Sequence, residues 1–186
     1  MVARPWEVIS SEQEKLYGIF SLRTDRARSP RTGLEHDFYI LESTEWVNII
    51  PITPENEIVL IRQYRHGIRA VTLEIPGGLV EDGATPEETA INELREETGY
   101  QARQMIPLGS VLANPAIQNN RCHTFLAKDV FLAGRQDLDD KEDIEVLLRP
   151  LSEIPSLIRE GEINHSLILA AFLRYFMEYD GGRHWG

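Results

Sequence analysis

The feature of this chain that most constrains its fold is a short segment in which three glutamates stand three and four positions apart. Glu93, Glu96 and Glu97 lie within the run EETAINELREETG, which ends at Gly99. In a helix, at about 100° per residue, the three carboxylates share a face that borders the apolar one, and Arg95 is expected to point away from them. Two carboxylates about 4 Å apart repel by roughly 4 kcal/mol at an effective dielectric near 20, and burial adds a desolvation cost. The segment therefore predicts a helix whose acidic edge binds a cation.

The residues at both ends of this segment also favour a helix. Thr85 suits the N-cap, Pro86 suits the first helical position, and Glu88 completes a capping box with Thr85. Gly99 suits the C-terminal end, where a left-handed backbone conformation is common. We therefore predict a helix that begins at Pro86 and stops before Gly99.

A glycine pair precedes this helix and follows an apolar run, residues 71–75, that reads as a short strand. Glycine lets backbone groups come close to a ligand or ion, so the carbonyl of Gly77 is a candidate metal ligand. Magnesium and manganese take such hard oxygen ligands and keep other positions for water and phosphate oxygens. We expect a Mg²⁺ site, with Mn²⁺ as the alternative, formed by Gly77, Glu93, Glu96 and Glu97.

The stretch from Gly78 to Tyr100 resembles the Nudix box, the signature of a family that hydrolyses nucleoside diphosphates linked to another moiety. The family pattern is G-x5-E-x7-R-E-U-x-E-E-x-G-U, where U is aliphatic. The positions that match at the right spacing are Gly78, Glu93, Leu94, Glu96, Glu97 and Gly99. The departures are Ala84 for the early glutamate, Asn92 for the arginine, and Tyr100 for the last aliphatic residue. Because the metal-binding glutamates are retained, the resemblance implies altered support around the metal and not a different reaction.

Within that family the chain is most similar to the ADP-ribose and nucleoside-diphosphate-sugar pyrophosphatases. The similarity is carried by residues 61–65 (IRQYR), residues 74–78 (EIPGG), and Pro115 beyond the box. It implies a Mg²⁺-dependent hydrolase that splits ADP-ribose or a related nucleoside diphosphate sugar into a nucleoside monophosphate and a sugar phosphate. The alternatives are a Nudix module that senses a nucleotide sugar without cleaving it, a hydrolase of another nucleoside diphosphate derivative, and an enzyme that removes oxidised nucleoside triphosphates.

Three charged residues near the glycine pair are candidates for binding this substrate. Arg62 and Arg65 suit charge-assisted hydrogen bonds to a pyrophosphate, although a pair of surface arginines explains them equally well. The resemblance adds Glu74, since related enzymes place an acidic residue at the active site there. Trp46 is a candidate for stacking on the base, as are Phe38 and Phe20, but an aromatic residue on a strand more often packs in a core.

An acidic run at residues 137–143 precedes a predicted strand at 145–149. Such a run is usually a solvated loop. In the family group named above, however, a loop glutamate before this strand closes over the substrate, where it binds metal and deprotonates the attacking water. The resemblance therefore implies Glu142 for this role, with Glu145 in reserve. The predicted catalytic residues are Glu142, Glu93 and Glu97.

Composition limits the remaining classes of function. A chain of 186 residues with 42% apolar side chains is expected to form one domain with a real core and a small N-terminal subdomain. Its formal charge of −11 argues against a nucleic acid polymer as partner. The single cysteine, Cys122, and the lack of a signal-peptide pattern or a long apolar run predict a cytoplasmic protein with no membrane partner.

The remaining pattern predicts an α+β protein with a mostly β N-terminal half. Expected strands lie near 6–10, 19–24, 36–41, 46–52, 57–65, 71–75, 108–113, 122–131 and 145–149. Expected helices after the box lie at 153–160, with Ser152 as cap, and at 165–179, with Asn164 as cap. This layout agrees with the Nudix fold, a mixed β-sheet sandwiched between α-helices, with an additional N-terminal antiparallel sheet.

The expected divisions of the chain are an N-terminal β subdomain at 1–42, a Nudix domain at 43–180, and a disordered tail at 181–186. The resemblance also implies a homodimer in which the N-terminal strands are exchanged between subunits.

Overall fold

A computed structural model gives the fold of residues 4–179, apart from the side chain of Lys15. The tail expected at 181–186 lies outside these residues. The strands are β1 Glu7–Tyr17, β2 Phe20–Arg28, β3 Glu35–Ser43, β4 Trp46–Ile52, β5 Glu57–Arg65, β6 Ala70–Glu74, β7 Tyr100–Gln101, β8 Gln104–Leu112, β9 Arg121–Lys128, β10 Phe131–Leu132 and β11 Ile144–Pro150. The helices are α1 Pro86–Thr98, α2 Ile154–Arg159 and α3 Ser166–Tyr179, with a 3-10 turn at Leu151–Glu153 before α2.

By its contacts, the chain divides into two compact units. The first comprises Met1–Thr44 together with Leu112–Arg121, and the second comprises Glu45–Val111 together with Cys122–Gly186. The segment Leu112–Arg121 is not part of the N-terminal subdomain that the sequence predicts at 1–42. It joins the first unit through backbone bonds such as Leu41 N–H to the Ile117 carbonyl, 2.7 Å.

The first unit is built on an antiparallel sheet in the order β1-β2-β3. β1 continues to Tyr17, seven residues beyond the predicted end at Ser10. The extension follows from the tight turn after Tyr17, where Gly18 has φ +67° and Tyr17 pairs with Phe20. The polar run inside β1 lacks the alternation of apolar and polar residues by which a strand is predicted from sequence.

The second unit contains a six-stranded mixed sheet in the order β11-β5-β4-β9-β8, with β6 also paired to β5. β4 runs parallel to β9 and antiparallel to β5. Successive residues of a strand face opposite sides, so β4 sends Val47 and Ile49 to one core and Ile50 and Ile52 to another.

Each face of this sheet is covered by helices. On one face, Ala90 and Leu94 of α1 pack with Val47, Ile49 and Phe125. On the other face, the buried residues of α2 and α3 pack with the sheet: Ile154, Ile168, Ala171, Phe172 and Phe176. The predicted fold class is therefore confirmed, as a mixed sheet between helices with a separate N-terminal antiparallel sheet. Among residues 4–179, no helix combines the length and the apolar character needed to cross a bilayer.

Two predicted helix caps are wrong. Ser152 lies inside the 3-10 turn, and α2 begins only at Ile154 without a side-chain cap. α3 begins at Ser166, and its first backbone bond runs from Leu169 N–H to the His165 carbonyl, so His165 and not Asn164 occupies the N-cap.

One predicted strand, 122–131, is interrupted. β9 ends at Lys128 because Asp129 adopts φ +53°, and β10 follows as a separate strand paired with β7.

Candidate active site

The acidic helix α1 has the ends that its sequence predicts. The Thr85 hydroxyl accepts from the Glu88 backbone N–H at 3.2 Å, and the Glu88 carboxylate accepts from the Thr85 backbone N–H at 2.8 Å. Gly99 has φ +75° and donates its N–H to the Arg95 carbonyl at 2.8 Å. These bonds set the start and stop of the helix and therefore the direction of its glutamates.

The glycine pair touches the carboxylates of α1. The Gly77 backbone N–H donates to Glu97 Oε2 at 2.8 Å. A Cβ at Gly78 would overlap the carboxylate of Glu93, and a Cβ at Gly77 would overlap the Val47 carbonyl oxygen. Gly77 admits no side chain because a backbone atom blocks it, whereas a side chain at Gly78 would require the Glu93 carboxylate to move.

Burial sets the electrostatics of this edge. Glu97 is only 3% exposed, and this burial raises its pKa to about 9. The N–H of Gly77 opposes the rise, while the charges of Glu93 and Glu142 add to it. Burial likewise raises the pKa of Glu93 to about 7, with Glu142 and Glu96 contributing. Without a cation, Glu97 therefore keeps its proton at neutral pH.

The donor set suits a hard divalent cation. It offers buried carboxylate oxygens beside a glycine loop, and a cation would offset both the repulsion and the desolvation that raise these pKa values. Among the residues that the structure describes, no group of three acidic, histidine or cysteine side chains already has the arrangement of a metal site. Glu93 and Glu97 offer carboxylates that no basic side chain pairs with among the described residues, whereas Glu96 must first leave another partner.

That partner is Arg95, whose Nη2 lies 2.5 Å from Glu96 Oε1. The prediction that Arg95 points away from the carboxylates is therefore wrong for Glu96. The guanidinium and the carboxylate are both exposed, and an exposed ion pair is worth about 1 kcal/mol or less. Glu96 can consequently exchange Arg95 for a metal ion at little cost.

The acidic loop at 137–143 is anchored to the C-terminal end of α1. The Asp137 backbone N–H donates to the Glu96 carbonyl at 2.9 Å. Glu142 accepts from the Asp139 backbone N–H at 3.1 Å, and its charge contributes to the raised pKa values of Glu93 and Glu97. The charge of Glu142 therefore acts on both carboxyl groups.

Glu145, the reserve candidate, lies on β11 and faces Arg62 instead. Arg62 Nη1 is 3.5 Å from Glu145 Oε2, and both side chains are exposed. Arg62 also lines a cavity of about 260 Å³ together with Leu73, Thr72, Gly161, Glu162 and Asn164. Leu73 belongs to the core beneath α2 and α3, so Arg62 lies on the sheet face opposite α1.

Arg65 is the predicted arginine that the structure places near the acidic edge. Its charge lowers the pKa of Glu97, although not enough to outweigh burial. Arg65 Nε and Nη2 donate to the two oxygens of Glu74, at 2.9 and 2.6 Å. Half of the Arg65 side chain remains exposed, which leaves the free edge of its guanidinium for a ligand.

Both carboxylate oxygens of Glu74 accept hydrogen bonds from neighbouring side chains. It is 2% exposed, and Thr72 Oγ1 donates to its Oε1 at 2.5 Å in addition to the two bonds from Arg65. Burial acts to raise its pKa, but these hydrogen bonds outweigh burial and the net shift is downward. Its geometry therefore suits a support for Arg65 and not a direct contact with substrate.

Trp46 lies half-buried at the first position of β4. It pairs with Cys122 of β9 and forms an isolated bridge with Leu79.

One residue near the site could not be identified from the sequence: Gln136, whose side-chain amide donates to the Glu97 carbonyl at 2.7 Å. A lone glutamine next to an acidic run is ordinary, and only the fold brings it to α1.

Comparisons with known proteins agree with this geometry. A NUDIX domain model matches residues 44–172. An ADP-ribose pyrophosphatase of Bacillus subtilis is 32% identical over 118 residues, which is 63% of this chain and 64% of that protein. A methanol dehydrogenase activator of Bacillus methanolicus is 31% identical over 96% of both chains. An ADP-ribose pyrophosphatase of Mycobacterium tuberculosis is 31% identical over 93% of this chain and 84% of that protein.

A solved structure supports the fold. The crystal structure of an ADP compounds hydrolase covers 99% of each chain with a TM-score of 0.86 at 20% identity. At this identity the likeness concerns the backbone fold and not the substrate.

Proposed function

Because the chain belongs to the Nudix family, we propose that it is a Mg²⁺-dependent pyrophosphatase acting on ADP-ribose or a related nucleoside diphosphate sugar. The observation that carries the proposal is the buried acidic edge of α1 against the glycine loop, where burial raises the pKa values of Glu93 and Glu97. Two relatives named ADP-ribose pyrophosphatase support the substrate class. With ADP-ribose, the products would be AMP and ribose 5-phosphate.

The metal would be held by the carboxylates of Glu93, Glu96 and Glu97 and by the carbonyl of Gly77, with Mn²⁺ as an alternative to Mg²⁺. When bound, the metal neutralises charge on the phosphate oxygens and lowers the pKa of a coordinated water. The Gly77 N–H keeps the Glu97 carboxylate turned toward the loop. Each of these groups comes from α1 or from the loop that touches it.

The chain's other residues would position the substrate and move the proton. The exposed edge of Arg65 donates to the phosphates, and Glu74 fixes the opposite edge. The attacking water forms a bond to phosphorus, the bond from phosphorus to the bridging oxygen breaks, and the water's proton passes to the carboxylate of Glu142. Glu93 is the alternative base, as a carboxylate on the same acidic edge. Trp46 remains the candidate for contact with the base.

A panel of substrates tests the activity. Purified protein with Mg²⁺ is mixed with ADP-ribose, GDP-mannose, UDP-glucose and dinucleoside polyphosphates, and products are separated by chromatography. We expect AMP and ribose 5-phosphate from ADP-ribose, and a loss of more than about 100-fold in kcat for Glu97→Gln. The matched control is Glu87→Gln, an exposed glutamate in the first turn of the same helix. Turnover that is absent, or equal in Glu97→Gln, would contradict the proposal.

The second candidate function is a module that binds a nucleotide sugar without cleaving it. It is favoured by the departures from the Nudix box, Ala84 and Asn92, of which Asn92 is exposed on α1. A relative named for activating another enzyme also matches along nearly the whole chain. Calorimetry separates the two functions, because a sensing module would bind ADP-ribose without metal and leave it intact.

A homodimer completed by the N-terminal strands is part of the proposal. The first unit supports it, since it leaves apolar side chains exposed on and beside its sheet, among them Trp6, Val8, Leu16, Ile19 and Phe38. Exposed apolar residues on a small sheet are typical of a surface that pairs with another chain. A cytoplasmic location stays a prediction from the sequence.

A further inference from the structure

The side-chain amide of Gln136 joins two elements that are distant in sequence. Its Nε2 donates to the Glu97 carbonyl in the last turn of α1, at 2.7 Å, and to the Ile144 carbonyl at the start of β11, at 3.1 Å. An amide nitrogen has two hydrogens, so both of its donor positions are used. Residues 137–143, the acidic loop, lie between Gln136 and Ile144. One side chain thus ties the beginning of this loop to its end and ties both to the helix.

The helix end offers these bonds because its last carbonyls lack partners inside the helix. The carbonyls of Glu96 and Glu97 accept from the Asp137 N–H and from Gln136, and the Gly99 carbonyl accepts from the N–H groups of Ala133 and Gly134. The same two glutamates whose carboxylates form the acidic edge therefore hold the acidic loop through their backbones. A shift of the loop is transmitted directly to the residues of the site.

We propose that Gln136 is a positioning residue that holds the acidic loop closed, and that this bridge keeps Glu142 over the acidic edge of α1. The inference rests on the proposed function for the role of Glu142, but the bridge itself does not depend on it. Among the bonds that the structure shows for residues 4–179, Glu142 is held only locally, by bonds to the backbone of Asp139. Its distance from Glu93 and Glu97 is therefore set by the two ends of the loop, which Gln136 joins.

The substitution Gln136→Met tests the bridge, since methionine keeps the length of the side chain and removes both donors. The loop contains a single site for trypsin, Lys141, and cleavage after it is followed by mass spectrometry under native conditions. Loss of two hydrogen bonds is expected to open the loop more often, so cleavage after Lys141 should be roughly tenfold faster. The matched control is Gln101→Met, an exposed glutamine on β7, which should be cleaved at the wild-type rate.

Kinetics distinguish positioning of Glu142 from a general loss of stability. We expect kcat for ADP-ribose to fall about tenfold while KM stays within about twofold, because Arg65, which binds the phosphates in the proposed function, is unchanged. Gln136→Glu should lower kcat further, since its carboxylate would face two carbonyl oxygens and donate to neither.

Wild-type cleavage after Lys141 in Gln136→Met would overturn the bridge, and faster cleavage with unchanged kcat would overturn its role in positioning Glu142. If the wild-type protein hydrolyses no substrate of the panel, the proposed function fails, and the cleavage comparison by itself decides whether Gln136 holds the loop.

Discussion

Glu97 shows how a residue with a proposed role in the chemistry can be costly to the fold. It is 3% exposed, and apart from the Gly77 N–H and the charge of Arg65 its surroundings oppose its charge, so its pKa rises to about 9. Glu74 is buried to the same degree, yet Arg65 and Thr72 hold its pKa below the ordinary value. The difference lies in the partners that the fold provides: Glu74 has protein donors for both oxygens, and Glu97 has one oxygen left for a ligand.

The first prediction at this scale concerns the stability of Glu97→Gln without metal. A carboxyl whose pKa is raised from 4.5 to about 9 on folding stabilises the protein at low pH and loses this contribution as pH rises between those values. Glutamine has no proton to lose, so the variant should match the wild type near pH 5 and exceed it by roughly 4 kcal/mol at pH 8, at about 1.4 kcal/mol per pH unit. Urea unfolding at both pH values in EDTA measures this. A variant less stable than the wild type at pH 8 would contradict it.

The second prediction concerns the gain in stability from Mg²⁺. Metal binding requires ionised carboxylates, and the pKa values of about 7 for Glu93 and about 9 for Glu97 mean that protons compete with it. The increase in melting temperature on adding Mg²⁺ should therefore be larger at pH 8.5 than at pH 6, and it should be small in Glu97→Gln at either pH. An increase that is equal at the two pH values would exclude these glutamates as the ligands.

At the scale of elements, α1 is positioned by contacts at both of its ends and along its acidic edge. The capping box fixes its start, and the segment that contains Gln136 bonds to the carbonyls at its end. Between them, Gly77 and Gly78 touch the carboxylates themselves. The contacts that hold α1 therefore also involve its proposed metal ligands. A small change in the glycine loop is expected to affect the site before it affects the fold.

Gly78→Ala tests this contact. The added methyl group would overlap the Glu93 carboxylate, the end of a flexible side chain, so the protein should fold while Glu93 turns away from the site. We expect Mg²⁺ affinity to fall about 10- to 100-fold with little loss of stability. Gly67→Ala is the matched control, because a Cβ there meets nothing within 4 Å. Equal Mg²⁺ affinity in both variants, measured by calorimetry, would refute the role of this contact.

At the scale of the whole molecule, net charge bears on the ligands that the protein attracts, and exposed apolar surface bears on its protein partners. A formal charge of −11 disfavours nucleic acid and favours recruitment of cations. In the first unit, Leu16 and Tyr17 at the end of β1 and Ile19 in the following turn are exposed, an unusual composition for a hairpin end that faces water. A second copy of the chain is the partner that we propose for this surface.

Sedimentation velocity tests the dimer. The wild-type protein should sediment as a dimer, and Leu16→Lys should shift it toward monomer, because burying an unpaired charge in an interface opposes association. Leu132→Lys is the control, since Leu132 is 65% exposed in the second unit and Leu16 is 67% exposed in the first. A monomeric wild-type protein at micromolar concentration would remove the dimer from the proposal.

The sequence by itself determined the elements whose information is local. β4 and β5 span the residues that the sequence predicts, and α1 begins and ends at its predicted caps, because a strand face or a helix cap depends on residues only a few positions apart. The spacing of Glu93, Glu96 and Glu97 likewise identified the acidic edge.

Only the tertiary structure decided which groups meet. It turned Arg62 toward Glu145 and Arg65 toward Glu74, buried Glu97 more deeply than Glu96, and brought Gln136 to a carbonyl 39 residues away. These outcomes depend on how the sheet pairs and how α1 packs against it, and hydrogen bonds between distant segments leave no periodic pattern in the chain.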